Sequence, residues 1–546
     1  MSKSLVLNRL QQGEITGCGP AVPPLTIELV ESSPTIVAQM GPEPLLQAMH
    51  QVPDFDILIA GRAYDPAPYI AFCAFQGMKS STGTFAALGT DILGGFTHMG
   101  KIMECGGICA TPKGRGAVAT VYKDGTFDIK PTDPKAKCTP LSVAAHTLYE
   151  KTRPDILHGP GGWLDLTSTK YLQLEDDVSV RVRGATFKFT TNAGSPYTVK
   201  LEGARNVGYR TMFIGYFRDP ILIGQLEAFL EIGRKYIAGQ HPPSEGDWKV
   251  GWHLNGLEEQ EATPGLVPKK VFIVGEVLAD TQELANGVSS TFRVYCAHGP
   301  YLNQKATSGN FAMGIGGKLD LPLGECAEFS IYHLMNLKPG EETARQVTAD
   351  GSIGERIAKP LFSWKQTIIN QTSDVGREDS GNVKTPLRIQ QSKPVDVVGK
   401  KLSIAASPRT LRDIAKVIRS KNAGPFEITF DVIFEDAEVY QVVKESGLLS
   451  PEVIAKIYKT SSTDDILWCG FFDQALAFKA TLPRTRNGAA VCSGGYLEDD
   501  VHGSQQYIPL MELPLDDASI LKLETLVREK PLSLCLLQRD LLLSSD

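Results

Sequence analysis

Residues 55–61 read Phe-Asp-Ile-Leu-Ile-Ala-Gly, a short and mostly apolar run that ends at a glycine. A run of this kind is typical of a strand buried in a parallel sheet. The pattern predicts one helix before it, over residues 43–50, and another after it, over residues 68–75. Helix, buried strand and helix in this order indicate a doubly wound α/β layer. We therefore expect residues 55–61 to be a central parallel strand in a Rossmann-like layer with a partly parallel sheet.

A polar turn, Arg62-Ala-Tyr64-Asp65-Pro, follows this predicted strand. In doubly wound sheets, ligands bind at the carboxyl ends of the strands. That rule places Arg62, Tyr64 and Asp65 at the rim of a candidate substrate site. The alternative interpretation is an ordinary capped turn, in which the Asp65 carboxylate accepts hydrogen bonds from nearby backbone amides.

The rest of the pattern divides the chain into five parts. An α/β domain over residues 1–205 precedes a second α/β or β-rich domain over residues 206–370, where alternating, β-branched stretches are frequent. The polar residues 371–402 are interpreted as a linker. Residues 403–514 mix strand and helix patterns, which predicts a small α+β module with a ferredoxin-like arrangement. A leucine-rich tail over residues 515–546 is expected to be helical.

Composition narrows the class of protein. The 546 residues include 55 Lys and Arg against 62 Asp and Glu, which gives a formal net charge of −7. A nucleic-acid-binding protein needs a concentrated positive field, so that class is disfavoured. No apolar run approaches the roughly 20 residues that span a bilayer, and no signal-peptide core follows the N-terminus. The ten cysteines form no CxxC pair, which favours a reduced, cytoplasmic protein with no membrane and no nucleic-acid partner.

The stretch His98-Met-Gly-Lys101-Ile-Met-Glu104-Cys105-Gly-Gly predicts two helical turns that end at a glycine pair. On a helix, His98, Lys101 and Cys105 share a face. A histidine and a glutamate together can remove and return protons near neutral pH. His98 and Glu104 are therefore the predicted catalytic residues, and Lys101 is a predicted substrate-binding residue. The alternatives are a surface helix with a Glu–Lys pair and a packed cysteine, or a Cys105 nucleophile activated by His98.

Two further segments supply candidate binding residues. His158 lies in the glycine-rich stretch Leu-His-Gly-Pro-Gly-Gly, where side chains and amides can face a pocket; a turn histidine is the alternative. In the small module, a polar and partly cationic loop follows a helix predicted over residues 411–419 and can hold a carboxylate or a CoA phosphate. A helix end capped by basic residues is the alternative there. The candidate residues of the module are Arg419, Lys421, Asn422 and Gln505.

The sequence contains no motif typical of a metal site, a nucleotide-binding site or an α/β-hydrolase. His146 and Glu150 are one helical turn apart, but two ligands do not make a metal site. No GxGxxG follows a predicted strand, no complete P-loop occurs, and no GxSxG elbow is found. We therefore expect neither a metal ion nor another cofactor.

Three stretches together point to a family. They are Asp56-Ile-Leu-Ile-Ala-Gly-Arg-Ala-Tyr-Asp-Pro66, His98-Met-Gly-Lys-Ile-Met-Glu-Cys-Gly-Gly107 and Pro154-Asp-Ile-Leu-His-Gly-Pro-Gly-Gly-Trp-Leu-Asp-Leu-Thr167. In these motifs the chain resembles the acyclic terpene utilisation A (AtuA) family. Residues 411–513 resemble a small domain of unknown function that often accompanies it, through Arg419-Ser-Lys-Asn-Ala-Gly-Pro-Phe426 and Gly503-Ser-Gln-Gln-Tyr-Ile-Pro509.

The resemblance implies a role in the breakdown of branched, terpene-derived acids, alongside enzymes that act on acyl-CoA thioesters. It also implies that roughly a hundred further residues, an α/β segment of early strands, usually precede the point that matches Lys3. We therefore expect this chain to be truncated relative to the family and to leave an apolar sheet edge uncovered. Such edges recruit partners, so a homo-oligomer is expected.

These observations predict a cytosolic metabolic enzyme that performs redox-free proton chemistry, namely hydration, elimination, isomerisation or cyclisation. Its predicted substrate is a branched carboxylic acid, an acyl-CoA or a terpenoid, with Arg62 as the anchor of an anionic or carbonyl oxygen and with His158 and Asp65 as orienting groups. The alternative is a non-catalytic ligand-binding or assembly subunit of an acyl-CoA or terpenoid pathway. In either case we expect the small module to pack onto the main body and close a cleft there.

Overall fold

The computed structural model describes residues 1–78, 85–257, 267–313, 318–346, 360–368, 404–486 and 488–529. Its helices are α1 (Lys3–Gln11), α2 (Ile27–Ser32), α3 (Glu43–Gln51), α4 (Ala67–Gly77), α5 (Thr90–Met103), α6 (Pro140–Thr147), α7 (Pro220–Ile223), α8 (Leu226–Gln240), α9 (Gln282–His298), α10 (Ala437–Ser446), α11 (Pro451–Tyr458), α12 (Ile508–Met511) and α13 (Asp517–Glu529).

The strands alternate with these helices along the chain. They are β1 (Ile15–Gly17), β2 (Thr35–Gln39), β3 (Ala110–Thr111), β4 (Ala117–Val121), β5 (Phe127–Pro131), β6 (Lys137–Cys138), β7 (Ile156–Gly159), β8 (Gly162–Asp165), β9 (Lys170–Gln173), β10 (Val180–Arg183), β11 (Thr186–Phe189), β12 (Tyr197–Phe217), β13 (Trp248–Asn255), β14 (Val271–Ala279), β15 (Ala312–Met313), β16 (Leu321–Leu337), β17 (Ala344–Gln346), β18 (Phe362–Trp364), β19 (Val417–Asn422), β20 (Glu427–Ile433), β21 (Trp468–Phe472), β22 (Ala477–Pro483), β23 (Thr485–Arg486) and β24 (Ala489–Ala490).

One large antiparallel sheet runs through the main body. Within the described ranges it has seven strands, in the order β1-β16-β12-β14-β13, with β2 and β15 also paired to β12. The central strand β12 is 21 residues long; its first half pairs with β2 and its second half with β14. Strand β12 therefore belongs to both halves of the sheet and joins them in one continuous strand. It also spans residues 205 and 206, where the sequence pattern places the boundary between two domains.

Helices cover each half of this sheet. Against the second half, α8 and α9 bury an apolar stripe whose members recur every three or four residues, as expected for a helix with one face in a core. The stripe of α9 consists of Leu284, Ala285, Val288, Phe292 and Cys296. Against the first half, α1 and α2 bury Val6 and Val30 among the side chains of β12 and β16. Fully burying a side chain of this size stabilises the fold by about 1.5–3 kcal/mol.

Helix α5 is the centre of a second layer, where it packs beside the sheets β4-β5-β10-β9 and β11-β8-β7. Every residue from 93 to 102 is buried, so the helix is enclosed on nearly all sides. Gly95 permits this, because a Cβ there would overlap the carbonyl of Gly125 in the turn between β4 and β5. The buried helix carries Lys101 to the floor of the cleft described below.

The small module is a four-stranded antiparallel sheet, β19-β20-β22-β21. Helices α10 and α13 cover one face. The other face packs on α6, β7 and β8 of the main body, so the predicted packing of the module is confirmed. The α+β composition is also as predicted, but the ferredoxin-like arrangement is not observed, because α10 and α11 both lie in the single connection from β20 to β21. The helix predicted over residues 411–419 is wrong: a 3-10 turn at Leu411–Asp413 and strand β19 occupy that stretch.

The predicted central strand at residues 55–61 is also wrong. The segment has no strand structure, and Ile57 and Ile59 are 79% and 91% exposed. Met40, just after β2, instead forms a parallel bridge with Ala63, through hydrogen bonds to Arg62 and Tyr64. The flanking helices α3 and α4 are present, as predicted, and the architecture is mixed α/β. The sheets are antiparallel rather than partly parallel: in the described part of the chain, only β17 and β18 form a parallel strand pair.

Two further expectations concern the linker and the C-terminal tail. The predicted linker at residues 371–402 and the last part of the tail lie outside the described residues, while α13 forms the first part of the tail. No helix in the described ranges combines the length and the apolar character needed to cross a membrane.

Candidate functional site

The C-terminal end of α5 carries a buried ion pair. The Lys101 side chain is 2% exposed and its ammonium contacts the Glu104 carboxylate one turn later, at the helix C-cap. Burial, and next the positive charge of Lys151, lower the pKa of Lys101 to about 7, while Cys105, Glu150 and Asp65 act in the opposite direction. The second oxygen of Glu104 is buried and has no hydrogen-bond partner in the described residues. The Lys101 amine and the Glu104 carboxylate are thus in direct contact in a poorly solvated position.

His98 lies elsewhere on the same helix. Its side chain is fully buried, with Nε2 3.2 Å from the Thr147 hydroxyl and the ring edge-on to Phe127 and Tyr171. Burial lowers the pKa of His98 to about 3, so the ring is neutral at physiological pH. The structure thus places His98 in the packing between α5 and α6 and joins Glu104 to Lys101 instead.

A second lysine, Lys151, stands four residues beyond the end of α6. Burial lowers its pKa, and the charge of Lys200 lowers it further, while Asp65 and Glu150 act in the opposite direction. The charge of Lys151 lowers the pKa of Lys101, because two like charges in a poorly solvated space repel. The charges of Asp65 and Glu150 act on both lysines in the opposite direction.

Strand β12 supplies the opposite wall. The Lys200 ammonium lies 2.9 Å from the Glu202 carboxylate and 4.8 Å from the centre of the Tyr332 ring. Glu202 also accepts hydrogen bonds from Arg62, at 2.7 and 3.0 Å. Arg62 lies 3.7 Å from Asp65, and both side chains are about half exposed. Charged groups thus continue from the buried Lys101 outward to Arg62 at the rim.

The small module closes one side of this cleft. Lys421 lies 3.6 Å from Glu150, and Glu427 accepts a hydrogen bond of 2.6 Å from the Thr152 hydroxyl. The Arg419 guanidinium stacks over the Tyr149 ring at 5.0 Å. The module therefore reaches the segment that carries Lys151 from the side opposite to α5.

The same interface contains a buried cluster of three charges. Asp431 accepts hydrogen bonds from Arg419 at 2.8 Å and from Lys479 at 2.7 Å, and Lys479 is fully buried. The two cations also donate to backbone carbonyls at the end of α6, Arg419 to Ala145 at 2.7 Å and Lys479 to Leu148 at 3.2 Å. Side chains of the module thus satisfy carbonyls that the end of a helix leaves without partners.

The remaining predicted binding residues are placed as follows. Tyr64 is buried against Gly159, and burial raises the pKa of its hydroxyl. His158 is exposed on β7, with its ring 6.3 Å from the ring of Trp163. Asn422 bonds to the Val501 carbonyl and to Arg484, and the backbone of Gln505 donates to Asp500. These contacts join the four residues to other parts of the fold.

A cavity of about 250 Å³ lies beside the cleft, between the large sheet and residues 490–494. Its lining is mixed, because apolar side chains share it with Ser330, His333 and three charged groups, Arg205, Glu328 and Arg486. The lining includes Val22, Leu29, Phe329, Phe426 and Val491. Phe426 also packs against Tyr332, with ring centres 6.5 Å apart, so one aromatic pair separates this cavity from the charged cleft.

Sequence reasoning missed Lys151, Lys200, Glu202 and Tyr332. A polar residue at every second position of a strand, as with Lys200 and Glu202 in β12, was the available signal for a wall that faces a cleft. For Lys151 there was no local signal, since its surroundings come from four separate stretches of chain.

Comparisons with known proteins agree with this assembly of a main body and a small module. A model of the acyclic terpene utilisation family protein AtuA matches residues 26–301, and a model of the domain of unknown function DUF4387 matches residues 411–514. The search of curated proteins and the search of solved structures gave no match. The first match spans half of the chain and contains α5, α6 and β12, and the second contains the strands that close the cleft. The chain belongs to the acyclic terpene utilisation family AtuA and carries a DUF4387 domain in its C-terminal part.

Proposed function

We propose that this protein is a cytoplasmic enzyme that moves a proton next to a carbonyl group, without redox chemistry, on a branched carboxylic acid, an acyl-CoA or a terpenoid. The observation that carries the proposal is the Lys101–Glu104 pair at the floor of a charged cleft. The family's link to acyclic terpene utilisation supports the substrate class.

The pair suits acid–base catalysis because the Lys101 amine and the Glu104 carboxylate are in contact, so a proton can pass between them. With the proton on Lys101, the Glu104 carboxylate is free to take a proton from a carbon next to a carbonyl. With Glu104 then protonated, either group can return a proton to the neighbouring carbon or to a leaving hydroxyl. A general acid or base works best when its pKa lies near the working pH, and a pKa of about 7 for Lys101 meets that condition. Lys101 takes the role that the sequence assigned to His98.

Residues at the opening of the cleft would bind the substrate. Arg62 and Lys421 present cations at the two sides of the opening, with partly exposed side chains, and can hold a carboxylate or a phosphate of CoA. The apolar side of the cavity beyond Phe426, formed by Leu29, Phe329 and Val491, suits a short branched hydrocarbon tail. The charged cleft and this apolar surface together favour an amphipathic acid.

The test is incubation of the full chain in D2O with a panel of branched acyl-CoA thioesters and acyclic terpenoid acids. We expect deuterium to enter one of them next to its carbonyl, or a new product to form. Glu104→Gln keeps the size of the side chain and removes the base, and should slow the reaction by about 10²–10⁴. Glu227→Gln, the same change on the exposed face of α8, is the matched control and should leave the rate unchanged. Binding of a panel member with neither exchange nor product would favour the ligand-binding subunit instead.

A further inference from the structure

We propose that the small module, which the DUF4387 match covers, selects the substrate by the length of its hydrocarbon tail. Phe426 and Val491 of the module close the cavity that takes this tail. The class of substrate is an acyclic acid, or its CoA thioester, whose tail has up to about ten carbon atoms. The inference deepens the proposed function and rests on it for the position of the reacting carbonyl group in the charged cleft.

The cavity lies between two parts of the chain. Leu29 on α2 and Phe329 on β16 come from the main body, while Phe426 and Val491 come from the module. The main body alone therefore supplies only one side of the apolar lining. The module adds the other side and turns this surface into a space of limited size.

The size of the cavity limits the tail. Its volume is about 250 Å³. An apolar cavity of about 150 Å³ holds one benzene molecule, which corresponds to about 25 Å³ for each carbon atom. By the same measure, the cavity accommodates about ten carbon atoms. Each methylene group of a ligand that leaves water strengthens binding about fourfold until this space is full.

The charged groups of the lining have partners of their own. Arg205 and Glu328 are paired residues on the neighbouring strands β12 and β16, so their opposite charges lie side by side. The Arg486 guanidinium donates a hydrogen bond to the Tyr496 carbonyl. The apolar part of the lining therefore remains as the surface that an uncharged hydrocarbon can cover.

The module holds Val491 in place through backbone hydrogen bonds. The Val491 amide donates to the Arg484 carbonyl at 3.0 Å, and the Arg484 amide donates to the Phe426 carbonyl at 2.7 Å. The Arg484 side chain pairs with Glu498 at 2.6 Å, and the two side chains are only 7% and 6% exposed. A buried ion pair thus supports the two module residues that line the cavity.

The main body holds the other end of the same segment. Arg210 on β12 donates to the Gly495 carbonyl at 3.0 Å, and the Glu276 carboxylate on β14 accepts a hydrogen bond from the Leu497 amide at 3.1 Å. A segment that is held at both ends yields little to a larger ligand, and overfilling a well-packed site is unfavourable. Residues 491–497 therefore set a fixed limit on the tail.

One aromatic pair lies between the cavity and the cleft. Phe426 lines the cavity, and its ring centre is 6.5 Å from that of Tyr332. The Lys200 ammonium lies 4.8 Å from the centre of the Tyr332 ring. A substrate can thus place its polar head near Lys200 and its tail beyond Phe426, on the two sides of one pair of rings.

The experiment measures the binding of three saturated acids to the full chain by isothermal titration calorimetry. Their tails are shorter than, close to and longer than the limit: 4-methylpentanoate, 3,7-dimethyloctanoate and 3,7,11-trimethyldodecanoate. We expect 3,7-dimethyloctanoate to bind at least about tenfold more tightly than either of the others. Val491→Phe fills part of the cavity and should weaken the binding of 3,7-dimethyloctanoate at least about tenfold, but that of 4-methylpentanoate less than about threefold.

Val501→Phe is the matched control, because Val501 belongs to the same module, is 48% exposed and does not line the cavity. It should leave all three affinities unchanged. Leu29→Phe narrows the cavity from the side of the main body and should repeat the effect of Val491→Phe. This second variant keeps the test decisive if Val491→Phe does not fold.

The inference is overturned if none of the three acids binds, or if the longest acid binds most tightly. Unchanged affinities in the folded Val491→Phe variant, or in Leu29→Phe, would overturn it as well. Binding with the expected limit, in a chain that exchanges no proton of any panel member in D2O, would keep the inference and overturn the proposed function. Deuterium exchange at a rate that does not depend on the length of the tail would do the reverse.

Discussion

Lys479→Met removes the fully buried cation at the interface between the small module and the main body. The change deletes the 2.7 Å ion pair with Asp431 and the hydrogen bond to the Leu148 carbonyl, and it leaves a methionine of similar length. Removing one partner of a buried ion pair destabilises a protein by about 3–5 kcal/mol. Arg419 still pairs with Asp431 at 2.8 Å, so the lower end applies. We expect a loss of about 3 kcal/mol in the free energy of unfolding.

Urea denaturation of the full chain measures this loss, and hydrogen exchange at the amides of residues 145–152 reports whether it arises at the interface. Lys416→Met is the matched control: the Lys416–Glu435 pair lies at the exposed edge of the same sheet, and its loss should cost under about 1 kcal/mol. A further variant, Lys479→Met with Asp431→Leu and Arg419→Met, removes all three charges of the cluster and should recover part of the stability. A loss under about 1 kcal/mol in Lys479→Met, or unchanged exchange at residues 145–152, would refute the reasoning.

Three further outcomes are expected. Gly95→Ala should destabilise the chain by more than about 3 kcal/mol or prevent folding, because the new methyl group overlaps the Gly125 carbonyl. Gly77→Ala has open space around it and should stabilise the chain by up to about 1 kcal/mol, and thermal unfolding compares the two variants. Burial lowers the pKa of His98 to about 3, so as the pH falls the unfolded chain binds this proton before the folded chain does. The contribution of His98 to the free energy of unfolding is therefore complete above pH 6.5 and falls by about 1.4 kcal/mol per pH unit down to pH 3. His98→Gln should flatten that part of a plot of stability in urea against pH, and an unchanged slope would contradict the assignment. The homo-oligomer expected from the sequence can be tested at the exposed Ile59. Sedimentation should show an oligomer in the parent and a monomer in Ile59→Lys, and a monomeric parent would contradict the expectation.

Local signals predicted the helices around residues 55–61 correctly, but not the helix over residues 411–419, and they predicted the sheets poorly. Helices α3 and α4 follow from apolar side chains at helical spacing behind a proline, and both depend mainly on residues near in sequence. A strand needs a partner, and the apolar run at residues 55–61 does not specify one. Strand β12, which pairs with β16, β14 and β2, is the reverse case, because its partners lie far away along the chain. Ala204 pairs with Thr35, 169 residues earlier, and Tyr197 pairs with Leu337, 140 residues later. No local pattern encodes partners at such separations.

The part of the candidate site that lies on helix α5 could be predicted from the sequence. Lys101 and Glu104 are three residues apart, and that spacing alone places their side chains together on a helix. His98 shares the face of Lys101, but its depth depends on Phe127 and Tyr171, which reach it from other strands. Burial of this kind is set by tertiary packing, so no local pattern indicates that the ring is too poorly solvated to take a proton near pH 7.

The carbonyls at the end of α6 receive their hydrogen bonds from a stretch of chain that is synthesised much later. Ala145 and Arg419 are 274 residues apart. At about 5–20 residues per second, ribosomes need about 14–55 s to cover that distance. During this interval the apolar side chains of α6 and of β7–β8 that later meet the module have no cover. A nascent chain in that state is a substrate for chaperones, and its yield in a cell depends on their supply as well as on the stability of the finished protein.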